Sequence, residues 1–238
     1  MIVFITIIIC ILLLFYLNIH NNKEIFIENN TTDKIITIHT FGDSHASEFY
    51  SHWGYIDLPN VNIICNHIGG KLMYTFGRLG LKLLNIKDYG VKDNDIVIFC
   101  FGEIDCRNHV HKHVSEKKTY KVVIDEIVVN YFDSIKKNEI LYNNIKICVY
   151  NVVPPIRYRT EPPTHPFPYL GSDEERKIYY NYMNYKIKEL CKINNFIYFD
   201  IYKNSCDEQG FLKKEYSDDN CHLRHTEHSI NFIKKNLL

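Results

Sequence analysis

Five short runs rich in Ile and Val punctuate this sequence, and stretches of helical periodicity fill the intervals. The runs are Ile35–Thr40, Val61–Cys65, Asp95–Phe101, Ile145–Val153 and Phe196–Ile201. Each is apolar at consecutive positions, so both faces of the segment must be buried. That suits central strands of a parallel sheet. The segment from Lys71 to Asn85 carries Leu72, Phe76, Leu79, Leu83 and Leu84 close to helical spacing. Ser115 to Lys137 places Val122, Val123, Ile127, Tyr131 and Ile135 on one side. Ser172 to Asn194 opens on Ser172-Asp173-Glu174-Glu175, a capping-box arrangement with acids in the first turn. Thr226 to Asn236 reads as a last short helix. Strands alternating with helices predict an α/β fold, a three-layer α/β/α sandwich around a parallel five-stranded sheet.

The first segment differs in kind. From Met1 to Leu17 no side chain is charged, and Thr6 is the one clearly polar residue. Such a run is at the short end of what spans a bilayer and the long end of a signal-peptide core. Asn18, Ile19, His20 and Asn21 make a poor cleavage site. The expectation is therefore an N-terminal transmembrane helix over residues 1–19, with a cleaved signal as the alternative. A polar linker over 20–34 and one domain over 35–238 would follow. The anchor would make this a single-pass membrane protein with its domain on the lumenal or extracellular side.

Lys+Arg and Asp+Glu both number 28, so the formal net charge is zero. No global field draws the chain to nucleic acid. Eight cysteines are scattered without a C-x-x-C pair, which argues against structural zinc. In an oxidising compartment Cys206 and Cys221 would be the natural disulfide partners, both being in late loops. His109, His111 and His113 alternate, but no carboxylate or Cys at ligand spacing completes a site, so no metal and no cofactor is expected.

Chemistry-bearing residues gather at the ends of the β-runs. The first run ends in Phe41-Gly42-Asp43-Ser44-His45. Ligands in this fold class bind at the carboxyl ends of strands. A serine there, after a glycine that permits a tight turn, is exposed for attack, and its own N–H can begin an oxyanion hole. The third run ends in Gly102-Glu103-Ile104-Asp105-Cys106-Arg107-Asn108-His109, crowding Glu103, Asp105, Arg107 and His109 together. Near the chain end, Ser217-Asp218-Asp219-Asn220-Cys221-His222 sets Asp219 three residues before His222. That carboxylate could orient the imidazole, which could take a proton from a serine. The segment from Pro154 to Gly171 holds six of the seven prolines and reads as a long loop, of the sort that often shapes a site. Arg157, Arg159 and His165 on it are candidates for controlling substrate access. His52, His67 and the single tryptophan, Trp53, follow the serine and are weaker candidates.

In this order the segments resemble the blocks of the SGNH (GDSL-type) hydrolases, over roughly residues 35 to 235. Gly42-Asp43-Ser44 looks like the first block, with Ser44 as nucleophile. Gly69 or Gly70 looks like the second, whose glycine N–H serves the oxyanion hole. Gly102-Glu103-Ile104-Asp105 sits at the third, and a subgroup carries Gly-Glu-Ile-Asp-Cys-Arg there. Asp219-Asn220-Cys221-His222 looks like the fifth. The resemblance implies a flavodoxin-like sheet and a triad of Ser44, Asp219 and His222. It implies a substrate-binding set of Gly69, Gly70, Glu103, Asp105, Arg107 and His109. The expected substrate is a small-molecule or glycan O-acyl ester. The departure is Ile104, which stands where the family's third block has an oxyanion-donating Asn. Losing one such donor costs about 100- to 1000-fold in rate. Three outcomes follow: Arg107 or His109 supplies the donor, ordinary esterase activity is weak, or the pocket serves a different acyl chemistry or binding alone; the permanent cation of Arg107 on the same loop favours the first. Two rival readings are an O-acyltransferase using the same serine and a silent binding module that keeps the fold.

Overall fold

The computed structural model describes residues 35–51, 54–157, 166–224 and 226–238, with the backbone only at 50, 51, 54 and 55. The expected anchor over 1–19, the linker over 20–34 and the candidates His52, Trp53, Arg159 and His165 lie outside the described residues. Among the described residues no helix is long and apolar enough to cross a membrane.

All five β-runs are strands: β1 Ile36–Gly42, β2 Val61–His67, β3 Ile96–Cys100, β4 Lys146–Tyr150 and β5 Ile197–Phe199. They form one parallel sheet in the order β2-β1-β3-β4-β5. This is the flavodoxin-like order, with the switch point between β1 and β3. A two-residue antiparallel pairing of Tyr50–Ser51 with Gly54–Tyr55 stands apart from the sheet.

The two-sided strands explain the layers. In β3, Val97 and Phe99 join one apolar cluster, while Ile96, Ile98 and Cys100 join the other. The first cluster is covered by α1 (Met73–Leu79), α2 (Tyr120–Glu139) and α3 (Asp173–Asn194) through Phe76, Ile124, Ile127, Tyr180, Met183 and Ile187. The second is closed by Ala46, Phe49, Leu212 and Leu223 and by Ile233 of α4 (Glu227–Asn236). Two buried faces give the three layers that the sequence pattern implies.

Helix ends follow local chemistry. The α3 box is present: Glu175 N donates to Ser172 Oγ, and Ser172 N donates to Glu175 Oε2. A cap of this kind stabilises by about 1 kcal/mol. The segment 71–85 is not one helix, because α1 ends at Leu79. Gly80 takes φ 52°, in the left-handed region that favours glycine, and a single 3-10 turn follows. Helix α2 starts at Tyr120, later than the periodicity suggests, because Ser115 and Lys118 pair in an isolated bridge. Of the proline-rich loop, 154–157 and 166–171 contain neither helix nor strand.

Candidate active site

The carboxyl ends of β1 and β3 bring the site together. Gly42 is the last residue of β1 and lies opposite Cys100 of β3. A β-carbon on Gly42 would sit 1.9 Å from the Cys100 carbonyl oxygen. The glycine is therefore required by strand packing and not, as the sequence suggests, by a turn. Asp43 caps the following 3-10 turn, Ser44–Glu48, and accepts from His45 N at 3.0 Å. This turn lifts Ser44 from the strand end. The Asp43 carboxyl is fully buried, and burial raises its pKa to about 6.

Ser44 Oγ is 2.8 Å from His222 Nε2. His222 Nδ1 is 2.7 Å from Oδ2 of Asp218, not of Asp219. The correction has a geometric cause. Oδ1 of Asp218 accepts from Asn220 N (2.8 Å) and His222 N (3.2 Å), so the loop wraps around that side chain. Asp219 sits at the apex with φ 63°. It lines a separate cavity of about 430 Å³ with Ile156, Arg157, Phe211 and Lys214. In the neutral imidazole this bonding assigns the proton to Nδ1, which donates to Asp218, and leaves the Nε2 lone pair for the serine hydroxyl. Burial acts to lower the His222 pKa, but Cys221 and Asp218 more than offset it and take it up to about 9. The Asp218 carboxyl is held below its usual range, because hydrogen bonds and charge from His222 outweigh burial.

The strand-end cluster is real, but most of it faces inward. Glu103 is buried, accepts from Tyr180 OH at 2.9 Å and pairs with Arg107 at 3.1 Å. Burial works against its charge, yet Arg107 and His45 bring its pKa down to about 2. Arg107 also lies over the Tyr169 ring, 4.9 Å from its centre. The guanidinium is thus anchored by Glu103 and Tyr169, while its Nε is buried with no hydrogen-bond partner among the described residues. Asp105 is fully buried and accepts from Met73 N (2.6 Å) and Tyr74 N (3.1 Å). It caps α1, whose own N-cap residue, Leu72, has no capping side chain. Its expected place in a substrate set gives way to this structural one. His109 stacks on Tyr74 at 4.4 Å and lies 4.3 Å from the His113 ring, in a different cleft from Ser44. Burial first, then His113, lowers its pKa to about 4. Residues 105–109 form a π-helical turn, which directs these neighbouring side chains to different surroundings.

Gly69 and Gly70 follow β2 at the site edge, where Ile68 N donates to Gly42 O at 2.8 Å. Ile104 is buried and offers no donor. Three residues outside the expected set are also drawn in. His45 Nδ1 lies 2.6 Å from Glu48 Oε1, and the His45 ring is 5.3 Å from that of His222. Glu48 Oε1 also accepts from Leu223 N at 2.8 Å, and its Oε2 from Tyr150 OH at 3.2 Å. Cys221 is buried beside both imidazoles. Burial and Glu103 act to raise its pKa, and the two histidines bring it below the ordinary thiol value. Cys206 and Cys221 are both free thiols, so the conditional disulfide is not formed. The His45–Glu48 pair has a sequence signal in its i, i+3 spacing within a short turn.

No family model and no curated protein sequence matches this chain. Solved structures do. A provisionally assigned platelet activating factor from Streptococcus pneumonia superposes with TM-score 0.57 at 18% identity, over 88% of this chain and 87% of that one. A GDSL-like lipase from Bacteroides thetaiotaomicron gives TM-score 0.51 at 15% identity, over 84% and 85%. A variant of an acetyl-xylooligosaccharide esterase from Geobacillus Stearmophilus gives 0.50 at 12%, over 84% and 94%. The chain has an α/β fold like that of GDSL-type hydrolases; at these identities the likeness is one of fold.

Proposed function

We propose that this protein is a serine-dependent ester hydrolase acting on O-acyl groups. The observation that carries the reading is the Ser44 Oγ–His222 Nε2–Asp218 relay, with contacts of 2.8 and 2.7 Å at the carboxyl end of β1. Ser44 Oγ attacks the ester carbonyl carbon while His222 Nε2 takes the hydroxyl proton. The backbone N–H groups of Ser44 and Gly70 hold the negative oxygen of the tetrahedral intermediate. Its collapse passes that proton to the departing alcohol and leaves acyl-Ser44. Water then attacks the acyl group, giving its proton to His222. The second collapse returns that proton to Ser44 Oγ and releases the acid. Asp218 fixes the imidazole and stabilises its charged form.

An O-acyl group on a carbohydrate is the proposed substrate, on the analogy of the acetyl-xylooligosaccharide esterase fold. We further propose that residues 1–19 anchor the chain in a membrane, on the strength of their uncharged apolar run. Full-length protein should sediment with membranes through a carbonate wash, and recovery in the supernatant would exclude the anchor. The hydrolase reading is tested with a fluorophosphonate probe and a panel of acetylated sugars and p-nitrophenyl esters. Wild type should be labelled and should hydrolyse an ester, and Ser44→Ala should do neither. An unlabelled wild type, or equal labelling of Ser44→Ala, would exclude it.

A further inference from the structure

We propose that His45, Cys221 and His222 form a site for a thiophilic divalent cation, Zn²⁺ above all, which switches the serine off reversibly by occupying the Nε2 lone pair of His222. The inhibitory consequence rests on the hydrolase reading; the site itself does not. One potential ligand atom from each residue lies within 4.8 Å of the other two, and all three residues are buried.

The two imidazoles are prepared in the same way. His45 Nδ1 is held by Glu48 Oε1 at 2.6 Å, and His222 Nδ1 by Asp218 Oδ2 at 2.7 Å. A carboxylate on Nδ1 is the common outer-shell partner of a metal-binding histidine, and it directs Nε2 to the ion. His45 Nε2 is buried with no hydrogen-bond partner among the described residues; the nearest carboxylate oxygen, on Glu103, is 3.9 Å away. His222 Nε2 is 2.8 Å from the Ser44 hydroxyl, which an ion on this nitrogen would displace. The Cys221 thiol lies beside both rings.

The donor set also chooses the metal. Binding releases the Cys221 thiol proton, and any proton on Nε2 of either imidazole, to solvent. The resulting pair of imidazoles and thiolate select zinc over magnesium or calcium, which prefer oxygen. Zinc bonds of about 2.0–2.1 Å to nitrogen and 2.3 Å to sulfur place ligand atoms roughly 3.5 Å apart around a tetrahedral ion. Closing from 4.8 Å takes about an ångström of side-chain rotation. The fourth position then falls to water or to Ser44 Oγ. Glu48, Glu103 and Asp218 surround the ion with negative charge, offset in part by Arg107. Once the metal holds His222 Nε2, the base has no lone pair for the Ser44 proton, and removing the metal restores it.

The test uses the full chain, stripped with chelator. Co²⁺ titration should give one thiolate-to-metal absorption band per chain, displaced by Zn²⁺. Cys221→Ser should abolish the band, and His45→Ala should weaken binding at least about tenfold. His113→Ala, in the separate histidine cleft, should bind like wild type. X-ray absorption of the zinc-loaded wild type should show one sulfur and two imidazoles, independently of how any variant folds. Zn²⁺ should inhibit p-nitrophenyl acetate hydrolysis, with EDTA reversing it, and each variant compared with its own metal-free rate. No stoichiometric binding, or a zinc shell without sulfur, overturns the site. An active enzyme that zinc loads but does not inhibit overturns the switch. If the band appears and depends on Cys221 while the metal-free protein hydrolyses nothing, the site stands and the hydrolase reading falls.

Discussion

Asp218 reaches Nδ1 of His222 at 2.7 Å, while the adjacent Asp219 turns its backbone to φ 63° and faces another cavity. Two consecutive aspartates therefore have unequal parts, and substitution separates them. Asp218→Asn removes the charge that fixes the tautomer and stabilises the imidazolium. Its kcat should fall by about 10³- to 10⁴-fold, as for other triads that lose this carboxylate. Asp219→Asn should stay within about twofold of wild type. Steady-state kinetics on one ester decides the matter, and a larger loss in Asp219→Asn would reverse the assignment.

Gly42→Ala should be severe despite adding one methyl group. The new carbon would meet the Cys100 carbonyl oxygen at 1.9 Å, and neither backbone can move without breaking the β1–β3 ladder. Overpacking ordinarily costs about 1–3 kcal/mol, and a backbone clash belongs at or above the top of that range. Urea unfolding should show a midpoint well below that of wild type. An unchanged midpoint would mean that the strands are farther apart than described.

These two sites show what sequence reading captures and what it misses. The strands were legible because a parallel strand buries both faces, and Ile and Val in unbroken runs record that directly. Ser44 and His222 were legible as strand-end and loop residues in family order. Asp218 was not distinguishable from Asp219, since spacing says nothing of where a side chain points once a loop leaves helical or strand periodicity. The sequence points to Gly42 through a turn, whereas the residue is required by a close approach between strands, which leaves no local mark. In the same way Asp105 and His109 look like site residues in one dimension, and the π-helical turn sends them to a helix cap and to another cleft.

Asp105 makes stability depend on pH in a particular sense. Burial raises its folded pKa to about 7, from an ordinary value of 3.8. The folded chain therefore keeps a proton that the unfolded chain gives up. Stability from this group is lost as pH rises from about 4 to about 7, at no more than about 1.4 kcal/mol per pH unit. Asp105→Asn cannot titrate, so its urea-derived stability should fall less steeply than that of wild type over this interval. Its absolute stability also reflects an N–H of Met73 or Tyr74 left without an acceptor, which costs about 1–3 kcal/mol. Parallel stability curves for the two proteins would show that Asp105 is ionised throughout.

Glu48 ties the serine turn to the histidine loop. One carboxylate oxygen accepts from Leu223 N at 2.8 Å and lies 2.6 Å from His45 Nδ1; the other accepts from Tyr150 OH at 3.2 Å. Leu223 follows His222 directly, so this acceptor sets how far the imidazole stands from Ser44. Glu48→Ala leaves a buried N–H and a buried histidine without their partner. It should lower both the unfolding midpoint and kcat, with KM for a small ester little changed. Glu48→Gln keeps an acceptor for Leu223 and should recover much of kcat while remaining less stable than wild type. Tyr150→Phe removes the bond to the far oxygen and the hydroxyl's interaction with Ser229, and leaves the Leu223 acceptor in place. It should cost about 0.5–1.5 kcal/mol of stability and leave kcat within about twofold. Together the three variants separate positioning from bulk stability: a purely structural Glu48 would make kcat follow the unfolding midpoint across all of them. A kcat that drops for Glu48→Ala, recovers with Glu48→Gln and ignores Tyr150→Phe would place the effect at the Leu223 amide.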